Sequence, residues 1–462
     1  MRPLPPLLLL LAALAAAGAS PALAADGDVD LTYQSTHQGF AIFGAPGDAE
    51  PVQVLPAPDG ELVVLYHWTN QVGTQRQDRW RRVTSTAYGP ACSLVQGSVT
   101  EMSARGAAFD SQGRLIVVGT EFDGTQRIVV ERFLYPDCTL DPDFDGNGLA
   151  AYLSGESPYG VAIVPRRVGF FPLNRQVYDL VGTLVPGATH LVVLRLDDDG
   201  GLDTTWGGGD GRVEISLAGA HLYGEAAALD AQGRIVVASQ CQFDASLNWA
   251  FAVTRLLPDG TPDPGFSGVG PRIVDFDLVE NGTDRAFAVA PARDGRIAVV
   301  GSAENVGDEV MALAVLLPNG NLDGSFSGDG RLSYGGPFEV LTSGRFVAFQ
   351  SDGELLVGGS TYLAAGLGIF TPAIEAAFVQ RYRPDGSPDP AFGDAGLAEP
   401  TVATFPDLGS SATAIAAGAD GRPLLAGRLE RDGTALHDGW IARLENALVF
   451  ADGFESGDTG AW

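Results

Sequence analysis

The sequence predicts an all-β fold, a β-propeller of seven four-stranded blades. Two phrases recur along most of the chain, and between them lie only short apolar runs with no sustained helical period. The composition agrees. Of 462 residues 45% are hydrophobic and 18% charged, with 61 glycines and 29 prolines, which is too apolar for a disordered chain and too rich in turn formers for long helices.

The first phrase pairs an Asp with an aromatic three residues on, ahead of a Gly-rich stretch. It reads Leu140-Asp-Pro-Asp-Phe144, Leu202-Asp-Thr-Thr-Trp206, Pro262-Asp-Pro-Gly-Phe266, Leu322-Asp-Gly-Ser-Phe326 and Pro388-Asp-Pro-Ala-Phe392, with steps of 62, 60, 60 and 66 between the Asp positions. A worn copy at Asp30-Leu-Thr-Tyr33 opens the series. The second phrase is a turn running into an apolar strand, at Asp59-Gly60, Gln112-Gly113, Gln232-Gly233, Asp294-Gly295, Asp352-Gly353 and Asp420-Gly421, with a degenerate copy at Asn174–Leu180. Asp-Gly between apolar runs is a hairpin signal, read here as a tight turn whose two central residues both take positive φ.

A short apolar run precedes each turn, another strand follows it, and a fourth follows the Gly-rich phrase. Seven units of about 60 residues therefore fill 27–448, where a single core would ordinarily divide. Radial repetition resolves this, since each sheet buries both faces against its neighbours. The worn first and third units leave the count between six and eight blades.

With these phrases in hand, the chain resembles the delta-60 repeat, an uncharacterised propeller-forming repeat of exported bacterial proteins. Leu256–Phe266 and Leu316–Phe326 carry the pattern best, and the similarity covers about nine tenths of the mature chain. The resemblance implies a propeller fold and brings no settled activity with it.

Several residues invite a functional or structural role. Phe144, Trp206, Phe266, Phe326 and Phe392 are expected to wedge between blades rather than stack on sugars, because a ligand site rarely needs one residue type at the same place five times. Arg195, Arg255 and Arg381 each precede the motif Asp by eight residues and Arg132 precedes Asp141 by nine, so an Arg–Asp bridge is expected in each of these units. Asp141, Asp143, Asp145 and Asn147 fit the opening of a calcium loop, although Tyr152 stands where that loop needs a bidentate Glu. Calcium is the one cofactor the sequence suggests. The five histidines show no metal or catalytic spacing, and no nucleophile elbow occurs.

Residues 1–24 read as a secretory signal peptide: Arg2, an apolar run over Leu7–Ala17, and an Ala22-Leu-Ala24 cleavage site. Export makes disulfides admissible. Of three cysteines, Cys92 and Cys138 sit in similar segments of successive units and would pair if those loops are close, leaving Cys241; three buried thiols are the alternative. A net charge of −29, with 28 cations that are all Arg, excludes a nucleic-acid or anionic-lipid surface as partner. The segment 449–462, with Gly453-Phe-Glu-Ser-Gly457 and Trp462, resembles a short C-terminal segment of many exported Gram-negative proteins and reads as a sorting tag without membrane insertion.

The sequence supports a secreted, periplasmic or cell-surface monomer that binds an extracellular protein or glycan as a scaffold, without evident catalysis. A propeller hydrolase or lyase acting on sugars or small esters at the central channel is the alternative, and a structural surface component is a third. Polar residues from several blades converging on one channel mouth would favour the enzyme. A smooth Gly-lined channel would favour binding through outer loops, such as the insertion at 362–374.

Overall fold

In the computed structural model the described residues are 40–43, 48–70, 76–84, 88–94, 102–169, 174–185, 187–243, 248–268, 270–280, 282–306, 308–335, 339–350, 352–363, 374–393, 396–398, 410–417, 423–430 and 437–444. The signal segment, the Asp30–Tyr33 phrase, most of the 362–374 insertion and the 449–462 tail lie outside them.

Seven antiparallel four-stranded units form the blades, and a single parallel pairing of Glu309 with Leu341 joins blades 5 and 6 into one sheet. From the first strand outward, blade 1 is Asp48–Pro56, Leu62–Thr69, Arg76–Val83 and Tyr88–Ser93; blade 2 is Ser103–Phe109, Leu115–Phe122, Gln126–Leu134 and Leu149–Tyr152. Blade 3 is Pro158–Val168, Arg175–Leu184, His190–Asp197 and Arg212–Ile215; blade 4 is Ala220–Leu229, Ile235–Phe243, Trp249–Leu256 and Arg272–Val274. Blade 5 is Asp284–Pro291, Ile297–Asn305, Asp308–Leu316 and Arg331–Tyr334; blade 6 is Glu339–Phe349, Leu355–Leu363, Ile374–Tyr382 and Leu397–Ala398. Blade 7 takes Ser410–Ala417, Pro423–Glu430 and His437–Arg443 from the end of the chain, and Phe40–Phe43 from its beginning.

That last pairing closes the ring. Phe40 lies opposite Ala442 and Phe43 opposite Gly439, so blade 7 is completed by a strand that precedes blade 1 in sequence. The first strands of neighbouring blades touch all the way round, which makes them the wall of a central channel. Closure of this kind leaves no long sheet edge open to pairing.

Burial explains why flat, short sheets suffice. The second strands are apolar on both faces, as in Leu62–Leu65, Leu115–Val118 and Ile297–Val300, and all these residues are buried. Seven hydrophobic clusters result, each filled from two adjacent blades. No blade has a core of its own. Stability therefore lives at the interfaces, at roughly 25 cal/mol per Å² of apolar surface removed from water.

The Asp-Gly turns differ from the sequence expectation in one respect. Gly60, Gly113, Gly233, Gly295 and Gly353 have φ between 69° and 90°, but the residues before them do not share the positive φ. Gly113 N–H donates to the Asp110 carbonyl at 2.9 Å and Asp110 N–H to the Arg114 carbonyl at 3.0 Å, so the hairpin closes over three residues with only the glycine left-handed. This is why Gln112 and Gln232 serve as well as Asp.

Between blades, Phe144, Trp206 and Phe266 each rest on a glycine turn of the next blade, at Gly200, Gly260 and Gly320. A Cβ on Gly260 would meet the Trp206 ring at 2.6 Å, and one on Gly320 would meet the Phe266 carbonyl oxygen at 1.9 Å. Gly320 also has φ of 80°, so any side chain there is both strained and blocked. Gly320→Ala is expected to lower the unfolding free energy by roughly 2–4 kcal/mol and Phe266→Ala by about 3–5 kcal/mol. Chemical denaturation would measure both; a Gly320→Ala protein as stable as the parent would show that the wedge contact is loose.

Candidate functional site

The motif residues converge on the blade interfaces. Phe144, Trp206, Phe266, Phe326 and Phe392 are all buried, none more than 3% exposed, which leaves no ring face for a ligand. Arg132, Arg195, Arg255 and Arg381 stack on four of these rings at 4.8, 4.4, 4.5 and 4.9 Å from guanidinium carbon to centroid. Three of the arginines reach the motif Asp: Arg132 Nε donates to Asp141 at 2.8 Å, Arg255 Nε to Asp263 at 2.8 Å, and Arg381 Nε to Asp389 at 2.7 Å.

Blade 3 breaks the pattern, so the Arg195–Asp203 bridge is corrected. Arg195 Nε donates to Asp179 at 2.7 Å, and Arg175 donates to Asp203 at 2.7 Å instead. Asp179 lies opposite Arg195 in the ladder, where blade 2 has Ile116 and blade 4 has Val236. A buried carboxylate at that rung captures its neighbour. Arg166 also approaches Asp179, at 2.8 Å, so the buried charge is shared by two guanidiniums.

Cys92 and Cys138 are joined in a disulfide with their Cα atoms 5.2 Å apart, and Cys241 is a buried free thiol. The bond ties the outer strand of blade 1 to the turn of blade 2. Blade 1 has no Asp-x-x-aromatic phrase, so the covalent link stands at the interface that lacks the wedge.

The calcium expectation does not fit the geometry. Asp141 Oδ2 is held by Arg132 and Oδ1 accepts the Asp143 N–H at 3.1 Å, while Asn147 Oδ1 accepts the Leu149 N–H at 2.9 Å. Among the described residues no three His, Cys, Asp or Glu side chains gather as metal ligands. The Asp-rich run is a local turn in which the side-chain oxygens of Asp141 and Asn147 already have partners.

The channel is where the repeats diverge. Every first strand carries a register slip, between Pro51 and Gln53, Ala104 and Gly106, Gly160 and Ala162, Gly224 and Ala226, Ala286 and Ala288, Gly344 and Phe346, and Ala412 and Ala414. A bulge leaves one residue out of the ladder and re-aims its side chain. The seven skipped residues are Val52, Arg105, Val161, Glu225, Phe287, Arg345 and Thr413, and all line a cavity of about 710 Å³ at one channel mouth. One backbone device is repeated seven times, and it carries a different side chain almost every time. The signal was present in the sequence as a variable residue between small ones, as in Ala104-Arg-Gly106 and Gly224-Glu-Ala226, but it is too short to read without the register.

Charge in this mouth opposes the charge of the whole. Arg105 and Arg345 line it and, among the described residues, neither has a carboxylate within ion-pair distance; Arg345 lies over the Phe287 ring at 4.3 Å. Glu225 accepts from Gln240 Nε2 at 2.8 Å. Burial pushes its carboxyl up to about 7 against the pull of Arg105, Arg345 and Arg285. At the rim, His67 Nδ1 lies 2.6 Å from the buried Asp78, which also accepts the backbone N–H of Ala104. Below the mouth a second cavity of about 310 Å³ continues between the first strands, walled mainly by Ala, Val, Ile and Phe.

Three stretches of the chain, 233–266, 292–326 and 350–392, match the model of a domain of unknown function, the DUF5122 beta-propeller. Each match ends on a wedge aromatic. The chain thus carries repeats similar to those of an uncharacterised propeller family. No curated protein matches it. Among solved structures, a protein of unknown function from Dyadobacter fermentans is similar at 11% identity, with 88% of this chain and 98% of that one covered and a TM-score of 0.47. Sqt1 of Chaetomium thermophilum gives 12% identity, 88% and 98% coverage and a TM-score of 0.45. An alpha-L-arabinanase of Penicillium chrysogenum gives 11%, 88% and 96% coverage and 0.40. At these levels the likenesses carry no functional argument.

With the Asp141 oxygens committed to Arg132 and the backbone, millimolar calcium or a chelator is expected to leave the melting temperature unchanged. A calcium-dependent rise of several degrees in calorimetry would restore the metal site.

Proposed function

We propose that the protein is an exported propeller whose channel mouth binds a ligand. The observation that carries this reading is the ring of seven bulge residues, which differ from blade to blade while the wedge, the Arg and the turn glycines largely repeat. A purely structural ring would have little use for such variety at one level. The size of the mouth suits a small molecule or the end of a chain. Export is supported by the signal-like residues 1–24 and by the Cys92–Cys138 bond, which suits an oxidising compartment. The delta-60 likeness and the Gly453–Trp462 tail support placement among exported or surface proteins of bacteria. Relative to the sequence reading, the binding face moves from outer loops to the channel.

One observation favours a catalytic variant of this reading. His67 lines the mouth, and a buried carboxylate orients its imidazole, which would leave Nε2 available as a proton acceptor. If turnover occurs, hydrolysis of a chromogenic ester or glycoside panel is expected to fall at least about a hundredfold in His67→Ala. Activity that persists in this variant would exclude the dyad.

Val161→Trp places a bulky ring at the mouth without touching a wedge or a turn glycine. In a thermal-shift screen of metabolites and glycan fragments, compounds that raise the melting temperature of the parent are expected to lose that effect in Val161→Trp. Stabilisation that survives the plug would move the site to the outer surface and overturn the reading.

A further inference from the structure

The channel combines two environments that seldom adjoin. Its mouth holds two guanidiniums, Arg105 and Arg345, that have no carboxylate within ion-pair distance among the described residues, and the shaft beneath is walled by small apolar side chains such as Ala107, Val164, Ala227 and Val289. The two cavities share Arg105, Arg345 and Glu225, so they form one continuous space. An unpaired Arg in a concave site is a standing receptor for an oxyanion, since its planar donors match a carboxylate bidentately. An apolar shaft gains from any hydrocarbon that displaces water from it.

We propose that the channel takes a single-chain amphipathic carboxylate, its head between Arg105 and Arg345 and its hydrocarbon in the shaft. This rests on the channel-mouth reading above and names the ligand class. The shaft volume of about 310 Å³ lies at the small end of ligand sites, which favours a medium chain over a long one. The chain bears a net charge of −29, so the mouth is a local exception that selects where an anion can settle.

Glu225 makes the affinity depend on pH. It faces Gln240 across its own blade, Arg285 and Phe287 on blade 5, and Arg105 and Arg345 across the channel; Tyr223 on its own strand and Tyr159 and Thr183 on blade 3 complete its surroundings. Glu50, His67 and Arg428 are the other titratable groups of the mouth. An ionised Glu225 cancels part of the arginine field, and a protonated one does not. Its carboxyl titrates near 7, so binding tightens as pH falls from 8 to 6.

The test is calorimetric titration of the full mature protein with octanoate, which stays ionised across this range, beside acetate and 1-octanol. Octanoate is expected to bind at least about tenfold more tightly than either control. Arg105→Ala and Arg345→Ala should each weaken it by about tenfold or more, with unchanged melting temperatures. Glu225→Gln should bind with the low-pH affinity at both pH values. Acetate or inorganic phosphate binding as tightly as octanoate would remove the shaft from the inference. Octanol binding as well as octanoate, or Arg variants that bind normally, would remove the head site. A pH slope retained in Glu225→Gln would overturn the role of Glu225. If octanoate fails while Val161→Trp abolishes the effect of another, uncharged compound, the ligand class is wrong and the channel-mouth reading stands.

Discussion

Blades 2, 3 and 4 are each held to the next by an aromatic ring pressed against a turn that has no side chain. The motif aromatic leaves its own sheet, crosses to the neighbour and lands on a glycine whose φ is positive; Phe144 at Gly200, Trp206 at Gly260 and Phe266 at Gly320 repeat the contact. The residue after the aromatic then donates its N–H to the carbonyl before that glycine, at 2.7 Å from Asp145 to Asp199 and 2.8 Å from Ser327 to Asp385. In blades 2, 4 and 6 an arginine lies over the ring and reaches the motif Asp, so a hydrophobic wedge, a cation over its face and an ion pair occupy one small volume. None of these could be moved without reopening the interface, which explains the near-constant spacing.

Where a part is missing, something else fills the position. Blade 5 has Val315 in place of the arginine, and there the guanidinium near Asp323 is that of Arg296, from the glycine turn, at 4.0 Å. Blade 1 has no wedge phrase, and the Cys92–Cys138 bond ties it to blade 2. Blade 3 lacks the Asp-Gly turn, and its first hairpin runs on until Val168 lies opposite Arg175. That extension delivers Arg175 to Asp203 after Asp179 has taken Arg195. Substitutions of this kind are what a ring tolerates, because each interface is settled between two neighbours.

The channel obeys a different rule. Its wall comes from strands whose outer faces are fixed by packing, yet one bulge residue per strand is released from the ladder and owes nothing to the core. These positions are free to vary, and they do. An acidic chain with two arginines gathered at the axis around one buried glutamate is an arrangement that packing does not require, which is why the mouth rather than the loops is the place to look for function.

How much was legible beforehand follows from the range of each interaction. The repeat, the all-β class and the wedge aromatics were readable because they rest on local spacing, and the near-constant step between copies of the phrase admits little besides a ring of sheets. The turn glycines were also local, though their hairpins close over three residues rather than two. Partner choice was not local. Whether Arg195 bonds Asp203 or Asp179 depends on which rung of the ladder faces it, and whether Asp141 is a metal ligand depends on an arginine that reaches it from the preceding strand. The ring of Val52, Arg105, Val161, Glu225, Phe287, Arg345 and Thr413 draws one residue from each blade, separated by tens of positions, and only closure of the circle brings them to one level. The sequence by itself determined the unit and its repetition; the tertiary structure alone decided which side chains meet at the axis, because that is a property of seven registers taken together.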